Sequence, residues 1–315
     1  METNISLNVS SSNCFHLPDP DFRHASQRFT INLITAIITI LTAPLAVITN
    51  GVVVIAIFGC SRLRTPLNLL IGCLAVSDIL IGLTAQPGYI TYRLMENQLR
   101  SVPCFVRVVY ASAFYLCFGV SFMTLSAVSY ERFVAVRLRT RYNAIFSLRR
   151  VVNYMLGIWL VNILLDALQW AKINQAARGA HLVLWLICLV GSVATQIGVL
   201  IIVRRSRREV QSHLRGGNKV QRQIREAKLA KSISIIVGVY LILNFPVLFV
   251  TFYHQILKLD LQTYNHYSWS ETLAFLNSCS NPFICCWKNR QIHQKVRVLL
   301  KKVCCWIFDS EEGNQ

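Results

Sequence analysis

Hydrophobic residues in this chain of 315 residues are gathered into seven long runs separated by short polar segments. Four runs contain no Asp, Glu, Lys or Arg, and three contain one acid each: Asp78, Asp166 or Glu271. A helix needs about 20 apolar residues to cross the hydrocarbon core of a bilayer, and runs of this length are typical of helices. We therefore predict an all-α membrane protein, a seven-transmembrane helix bundle, with spans one to seven at 31–58, 66–91, 108–130, 151–171, 181–203, 232–257 and 261–287.

The charge of the chain indicates how the spans are oriented. Its 32 Lys and Arg against 14 Asp and Glu give a net charge of +18, which in a soluble protein would suggest nucleic-acid binding. With the N-terminus outside, the inner segments and Arg132 hold 24 of the 32 basic residues and the outer segments hold 8. Inner loops of membrane proteins carry this excess. We predict a multi-pass protein of the plasma membrane, with its N-terminus outside and no nucleic-acid partner.

Polar segments divide the chain into three parts. Residues 1–30 are predicted to be an extracellular tail, 31–287 the transmembrane bundle, and 288–315 a cytoplasmic helix and tail. The outer tail contains two glycosylation sequons, at Asn4 and Asn8. It lacks the apolar core of a signal peptide, so span one is expected to serve as an uncleaved signal anchor.

The inner segment after span seven has the pattern of a basic amphipathic helix. Ile292 and Val296 begin an apolar face that continues to Val303, and Lys and Arg fill the other faces. Such a helix lies along a membrane surface, so membrane lipid is a predicted partner. Cys304 and Cys305 follow at its end, where palmitoylation would anchor it, unless both remain unmodified.

Most of the eleven cysteines fall in predicted spans or inner segments. Cys14 and Cys104 are the two that are predicted to face the oxidising side of the membrane. They either form a disulfide with each other or remain two free thiols.

Ionisable residues at membrane depth are costly and usually functional. Asp78 lies in the middle of span two and must therefore face the interior of the bundle. It either binds a cation, with oxygen ligands that suit a hard monovalent ion, or is a hydrogen-bonded packing node that is partly protonated. The neutral polar residues expected around it are Asn50, Ser121, Asn277 and Asn281.

Two prolines lie inside predicted spans. Pro246 in span six and Pro282 in span seven each remove one backbone hydrogen bond and are predicted to kink their helices. We expect the freed carbonyls to find polar neighbours such as Asn244 or Asn281. The kinks are either elements with two conformations or static bends.

An ordered set of residues resembles the rhodopsin-like G-protein-coupled receptors over about residues 30–305. The set comprises Asn50, "LAVSD" with Asp78, "ERF" with Arg132, Trp159, Pro246 and "NPFIC" with Pro282. A short second outer loop without cysteine and a fifth span without proline are most similar to the melanocortin, adenosine, cannabinoid and lysophospholipid receptors. The resemblance implies a receptor, not an enzyme, that couples an extracellular small-molecule, lipid or peptide ligand to a heterotrimeric G protein.

The resemblance also implies roles for individual residues. Arg132 would contact the G protein in the active state, Glu131 and Glu226 would hold it at rest, and Phe133 stands where the family usually has tyrosine. Asp78 and its predicted neighbours match the family's sodium pocket, so an allosteric sodium ion is the one possible cofactor. Two departures, Asn244 for tryptophan and Cys285 for tyrosine, put the usual activation relay in doubt.

The candidate ligand pocket is mostly apolar and aromatic, as small-ligand sites often are. By the resemblance, Phe114 replaces the aspartate of amine receptors and Phe275 replaces the lysine that binds retinal. Glu271 pairs either with a cationic ligand group or with Arg93 or Arg107 of the protein itself. The predicted pocket consists of Phe114, Tyr115, Phe118, Val247, Leu248, Thr251, His254, Glu271 and Phe275.

Two other functions fit a seven-helix bundle. A receptor-like protein with weak or constitutive signalling would agree with the missing relay residues. A transporter or channel would need a continuous polar path, and spans one, four and five offer few polar residues beyond Asn50, Asn162, Asp166 and Gln196. Transport folds also often contain internal repeats, and the sequence shows none.

Overall fold

The computed structural model describes residues 14, 15, 17, 25–138, 140–171, 174–212, 234–235, 237–253, 261–288 and 292–298, with only the backbone described in 174, 206–212, 261–264 and 283–288. Apart from an isolated bridge between Cys14 and Leu17, these residues form helices and connecting turns. Spans one to seven are the helices Ala25–Phe58, Pro66–Asn97, Cys104–Arg137, Leu148–Gln169, Asn174–Ser212, Val237–Tyr253 and Leu261–Lys288. The prediction of an all-α membrane bundle is confirmed.

Five of the described helices, spans one to five, are long and apolar enough to cross a membrane. Several extend beyond their apolar runs. Span one begins at Ala25, six residues before its run and inside the predicted outer tail, because Arg28 is buried against span two and extends the packed part of the helix. Span three likewise continues to Arg137, past the charged pair Glu131 and Arg132.

Span two contains a wider turn between two α-helical parts. Thr65 caps its first turn by accepting a hydrogen bond from the N–H of Asn68 at 3.3 Å, and Pro66 occupies the first position, where no N–H is needed. Residues Ile81–Ala85 form a π-helical turn. This turn separates the part that carries Asp78 from Gln86–Asn97, which carries the polar residues described below.

Span three is at the centre of the bundle and packs against spans two, four and five. Its aromatic residues Phe114, Phe118 and Phe122 are buried and pack against Trp185 of span five and Tyr240 of span six. Gly119 allows a close approach to span four, because a Cβ there would lie 2.0 Å from Oδ1 of Asn162. These aromatic side chains belong to the main apolar cluster of the described residues, and large rings bury much apolar surface.

The N-terminal segment is attached to one end of the bundle by a disulfide between Cys14 and Cys104. The Phe15 ring contacts the edge of the Trp170 ring at the end of span four, with 5.7 Å between ring centroids. Of the two alternatives for these cysteines, the structure has the bonded pair. We call this the disulfide end of the bundle and the opposite end, where span three finishes, the Arg132 end.

Spans six and seven continue past Pro246 and Pro282. Pro282 frees the carbonyl of Ser278, which accepts a hydrogen bond from Nδ2 of Asn50 at 2.8 Å. The expectation that Asn244 or Asn281 satisfies the freed carbonyls is wrong for this site. Asn244 donates to the Tyr240 carbonyl one turn earlier in its own helix, and Asn281 donates to Asp78.

The helix after span seven is described over residues 292–298. Ile292 is buried in the main apolar core and Val296 packs against that core, as the predicted apolar face requires. The remaining predicted face, with Cys304 and Cys305, lies outside the described residues.

Candidate functional site

A charged cluster lies at the Arg132 end of span three. The guanidinium of Arg132 donates two hydrogen bonds, from Nε and Nη2, to the two carboxylate oxygens of Glu131. Both side chains are buried. A two-pronged contact of this kind is stronger than a single neutral hydrogen bond and fixes the direction of the guanidinium.

Tyr142 completes this cluster from the segment between spans three and four. Its hydroxyl donates to Oε1 of Glu131 at 2.6 Å, and its ring stacks on buried Phe146 at 5.9 Å. Two effects raise the pKa of Tyr142: the larger is its partial burial and the second is the negative charge of the Glu131 carboxylate. The hydroxyl therefore remains a donor at neutral pH. Tyr142 was not predictable from the sequence, because its place in a polar loop gave no sign that it folds back onto span three.

The two other residues predicted for this cluster are placed differently. The Phe133 ring points toward span five, where a Cβ on Gly198 would lie 2.8 Å from the ring, and it packs against Val199 and Val203. Glu226 lies outside the described residues, so its part in holding Arg132 stays a prediction.

The second polar site surrounds Asp78 in the middle of the bundle. Asn281 donates to the Asp78 carboxylate at 2.9 Å, and Ser121 shares a hydrogen bond of 2.9 Å with Ser77. Asn277 is buried, and its Oδ1 has no hydrogen-bond partner among the described residues. The structure therefore brings together the predicted residues of spans two, three and seven, while Asn50 contacts the backbone of span seven nearby.

A cavity of about 10 Å³ lies beside Asp78, which is about the size that one water molecule needs. Its lining offers the carboxylate of Asp78, the hydroxyl of Ser121 and the unpaired amide oxygen of Asn277, and oxygen ligands are those that hard cations prefer. The described residues contain no group of three or more His, Cys, Asp or Glu side chains that could hold a metal ion. Four of the lining residues were not predicted from the sequence: Ile81, Tyr240, Ala274 and Ser278.

The predicted ligand-pocket residues lie in different parts of the bundle. Phe114, Phe118 and Phe275 line the cavity above Asp78, while the Tyr115 ring lies 5.8 Å from both His181 and Trp185 of span five. The residues predicted on span six are buried, namely Val247, Leu248 and Thr251. His254 lies outside the described residues.

Glu271 of span seven is bound by the protein's own side chains. Arg93 of span two donates to Oε2 of Glu271 at 3.4 Å, and the hydroxyl of Tyr110 in span three donates to Oε1. Of the alternatives for Glu271, the structure has the pair with Arg93. Arg107 is buried in the first turn of span three and is absent from the ion pairs of Glu271 that the described residues form.

The Arg93–Glu271 pair belongs to a larger charged network at the disulfide end. Arg93 also lies 3.5 Å from Glu96, which accepts from Arg28 of span one, and its guanidinium stacks over the Tyr89 ring at 4.8 Å. Arg28, Arg93, Glu96 and Glu271 are all buried. The network joins spans one, two, three and seven, and we refer to it as the four-span network.

Comparison with known proteins identifies the class of protein that this fold and these sites define. Residues 49–285, well over half of the chain, match the family described as "7 transmembrane receptor (rhodopsin family)". The chain belongs to this family, so it is a multi-pass membrane receptor and not an enzyme. The prediction of a rhodopsin-like G-protein-coupled receptor is confirmed.

Individual relatives are similar over most of their length. Adenosine receptor A2b of Gallus gallus is 23% identical and aligns with 85% of this chain and 88% of its own. Histamine H2 receptor of Cavia porcellus is 25% identical, over 88% of this chain and 81% of its own. Adenosine receptor A2a of Canis lupus familiaris is 23% identical, over 82% and 70% respectively.

Proposed function

We propose that this receptor binds an extracellular ligand at its disulfide end and activates a heterotrimeric G protein at its Arg132 end. The N-terminus would then lie outside the cell, in agreement with the distribution of Lys and Arg. The observation that carries the proposal is the cluster of Glu131, Arg132 and Tyr142, in which Glu131 and Arg132 are buried. A guanidinium held by an acid at the edge of the bundle is a charge that a partner can reach only after the pair separates.

The mechanism that we propose is a shift between two states. At rest, Arg132 is paired with Glu131, and the Tyr142 hydroxyl donates a second hydrogen bond to Oε1 of Glu131. Ligand binding would favour a state in which span six moves outward and Arg132 is released. The ligand shifts this equilibrium only by the difference between its affinities for the two states, so weakening the resting cluster should have the same direction of effect as an agonist.

Replacing Glu131 with glutamine is expected to raise ligand-independent signalling. Loss of the carboxylate charge removes roughly 2 kcal/mol from the resting state, which corresponds to about a 30-fold larger active population where that population is small. Tyr142→Phe removes one hydrogen bond of the cluster and should give a smaller rise, about fivefold. The measurement is nucleotide exchange on a panel of purified G proteins. Unchanged exchange in both variants at normal surface expression would contradict the proposed cluster.

We further propose that the Asp78 cavity binds a sodium ion in the resting state. The proposal is supported by the carboxylate of Asp78, the Ser121 hydroxyl and the unpaired Oδ1 of Asn277, all at one cavity. The ion would connect spans two, three and seven and so favour one arrangement of these helices. Glycosylation at Asn4 and Asn8 and palmitoylation at Cys304 and Cys305 stay predictions, because these residues lie outside the described part of the chain.

Sodium is expected to raise the melting temperature of the purified receptor relative to N-methylglucamine at equal ionic strength. An ion at ten times its dissociation constant contributes about 1.4 kcal/mol. Asp78→Asn should abolish this response, since it removes the charge of the site. Asp166→Asn is the matched control, because Asp166 lies in span four and accepts from Gln169 instead. Equal melting temperatures of the unmutated receptor in the two salts would rule out the site.

A further inference from the structure

The two acids of the four-span network are already bound by arginines. Glu271 accepts from Arg93 and Tyr110, and Glu96 accepts from Arg28. A cationic ligand group that bound Glu271 would have to separate a buried ion pair and leave Arg93 uncompensated, which is costly. The four-span network is therefore a poor receptor for a positive charge.

Span five, by contrast, carries a basic side chain near its start. Arg178 lies near the start of this helix, and none of the ion pairs of the described residues includes it. Its Nε is buried and has no hydrogen-bond partner there. Three residues later on the same helix, the His181 ring lies 5.8 Å from the ring of Tyr115 in span three, and this spacing places Arg178 on the same helix face. A positive charge is thus available on the side of span five that faces span three.

His181 follows Arg178 by three residues, and this spacing places both side chains on one face of the helix. His181 is fully buried, yet neither nitrogen of its imidazole has a hydrogen-bond partner among the described residues. Polar groups in this situation are destabilising unless a partner is supplied. The ring faces Tyr115, at 5.8 Å between centroids.

The surface next to these two residues is aromatic. Trp185 lies a further turn along span five, with its ring 5.8 Å from Tyr115 and 4.9 Å from Phe118. Phe114 stacks on Phe118 at 5.3 Å. A molecule whose polar head contacts Arg178 and His181 would therefore place its body against buried aromatic rings.

We propose that the ligand is a small amphipathic anion, with a carboxylate or phosphate-monoester head on Arg178 and His181 and an apolar body against Tyr115 and Phe118. This inference rests on the proposed function and names the ligand class of that receptor. Arginine matches the geometry of both head groups, and an imidazole N–H adds a second donor. Apolar sites with a few fixed polar groups are typical of small-ligand binding.

The test uses the full-length receptor purified into lipid nanodiscs. Its melting temperature is measured against decanoate, decyl phosphate, decylamine and decanol, each below its critical micelle concentration. Decanoate or decyl phosphate is expected to raise the melting temperature saturably, whereas decylamine and decanol are not. Arg178→Gln should weaken binding of the acid about tenfold or more. Arg100→Gln, which removes an exposed arginine from the same end, is the matched control and should bind normally.

His181→Phe separates ligand binding from folding. The substitution removes two unpaired buried nitrogens, so a structural role alone would leave the receptor as stable as before or more stable. The proposal expects that result together with weaker binding of the acid. Should Arg178→Gln fail to fold, Arg178→Lys keeps the charge and is expected to keep the preference for the acid over the amine.

Three results would overturn the proposal: equal stabilisation by decylamine, unchanged binding of the acid in Arg178→Gln, or no stabilisation by any of the four compounds. None of these measurements contains a G protein. Failure of the ligand class is thus distinguishable from failure of G-protein activation, which the nucleotide exchange of Glu131→Gln tests separately.

Discussion

Replacing Arg132 with alanine is expected to abolish G-protein activation while the receptor remains folded. The side chain is buried on Glu131 in the resting cluster, and its proposed release supplies the charge that contacts the G protein. Removing one partner of a charge-assisted contact in a protein interface typically costs 2 to 5 kcal/mol, so exchange should fall about 30-fold or more. The measurement is nucleotide exchange with the purified receptor, normalised to surface expression.

The control for this substitution is Arg62→Ala. Arg62 is exposed in the turn Ser61–Leu63 between spans one and two, at the same end of the bundle, and should activate normally. Combining Arg132→Ala with Glu131→Gln tests whether the two residues act through the same contact. If Arg132 acts only through release from Glu131, the double variant should be as inactive as Arg132→Ala, whereas the Glu131→Gln variant alone is more active. Retained activity in Arg132→Ala would contradict the role of this arginine.

The helices were largely predictable because the bilayer requires long apolar segments, and such segments are visible in one sequence. Their ends were less predictable. The apolar run of span one starts at residue 31, but the helix starts at Ala25, since a buried arginine is satisfied by an acid that lies far away in sequence. Ionic partners such as Arg28 and Glu96 leave no periodic pattern, and so the extra turns that they stabilise are missed.

The residues of the polar sites were also only partly predictable from the sequence. Asp78 was predictable as an interior residue because an acid cannot face lipid, and Asn281 and Ser121 follow from the family pattern. Tyr142 and the unpaired His181 were not predictable, because their importance depends on which side chains the fold brings within hydrogen-bond distance. The partner of the carbonyl freed by Pro282 was also unpredictable, since Asn50 reaches it from span one.

One of the departures from the family pattern lies at the Asp78 cavity. Asn244, which stands where the family usually has tryptophan, lines the cavity beside Asp78 and donates to the Tyr240 carbonyl of its own helix. Span six thus contributes a polar amide, rather than a large ring, to the site that we propose for sodium. An ion in the cavity would therefore lie next to Asn244 of span six as well as Asp78 of span two. We expect sodium binding to affect the position of span six for this reason.

Glu271→Gln is expected to destabilise the receptor by about 3 to 5 kcal/mol, because it leaves Arg93 buried with only part of its compensating charge. Arg93 still has Glu96 at 3.5 Å, but Glu96 also pairs with Arg28. The measurement is thermal unfolding of the purified receptor, together with surface expression. Arg100→Gln, at an exposed position of the same end, is the control and should melt normally.

The double variant Arg93→Met, Glu271→Leu tests whether the Arg93–Glu271 pair of the four-span network has a structural role. Replacing a buried ion pair with apolar side chains of similar volume is often neutral or stabilising, and Glu96 keeps Arg28 as its partner. The double variant should therefore recover more than half of the stability that Glu271→Gln loses. A normal melting temperature in Glu271→Gln would instead mean that the pair is not structural. Glu271 would then be free to bind a cationic group of a ligand.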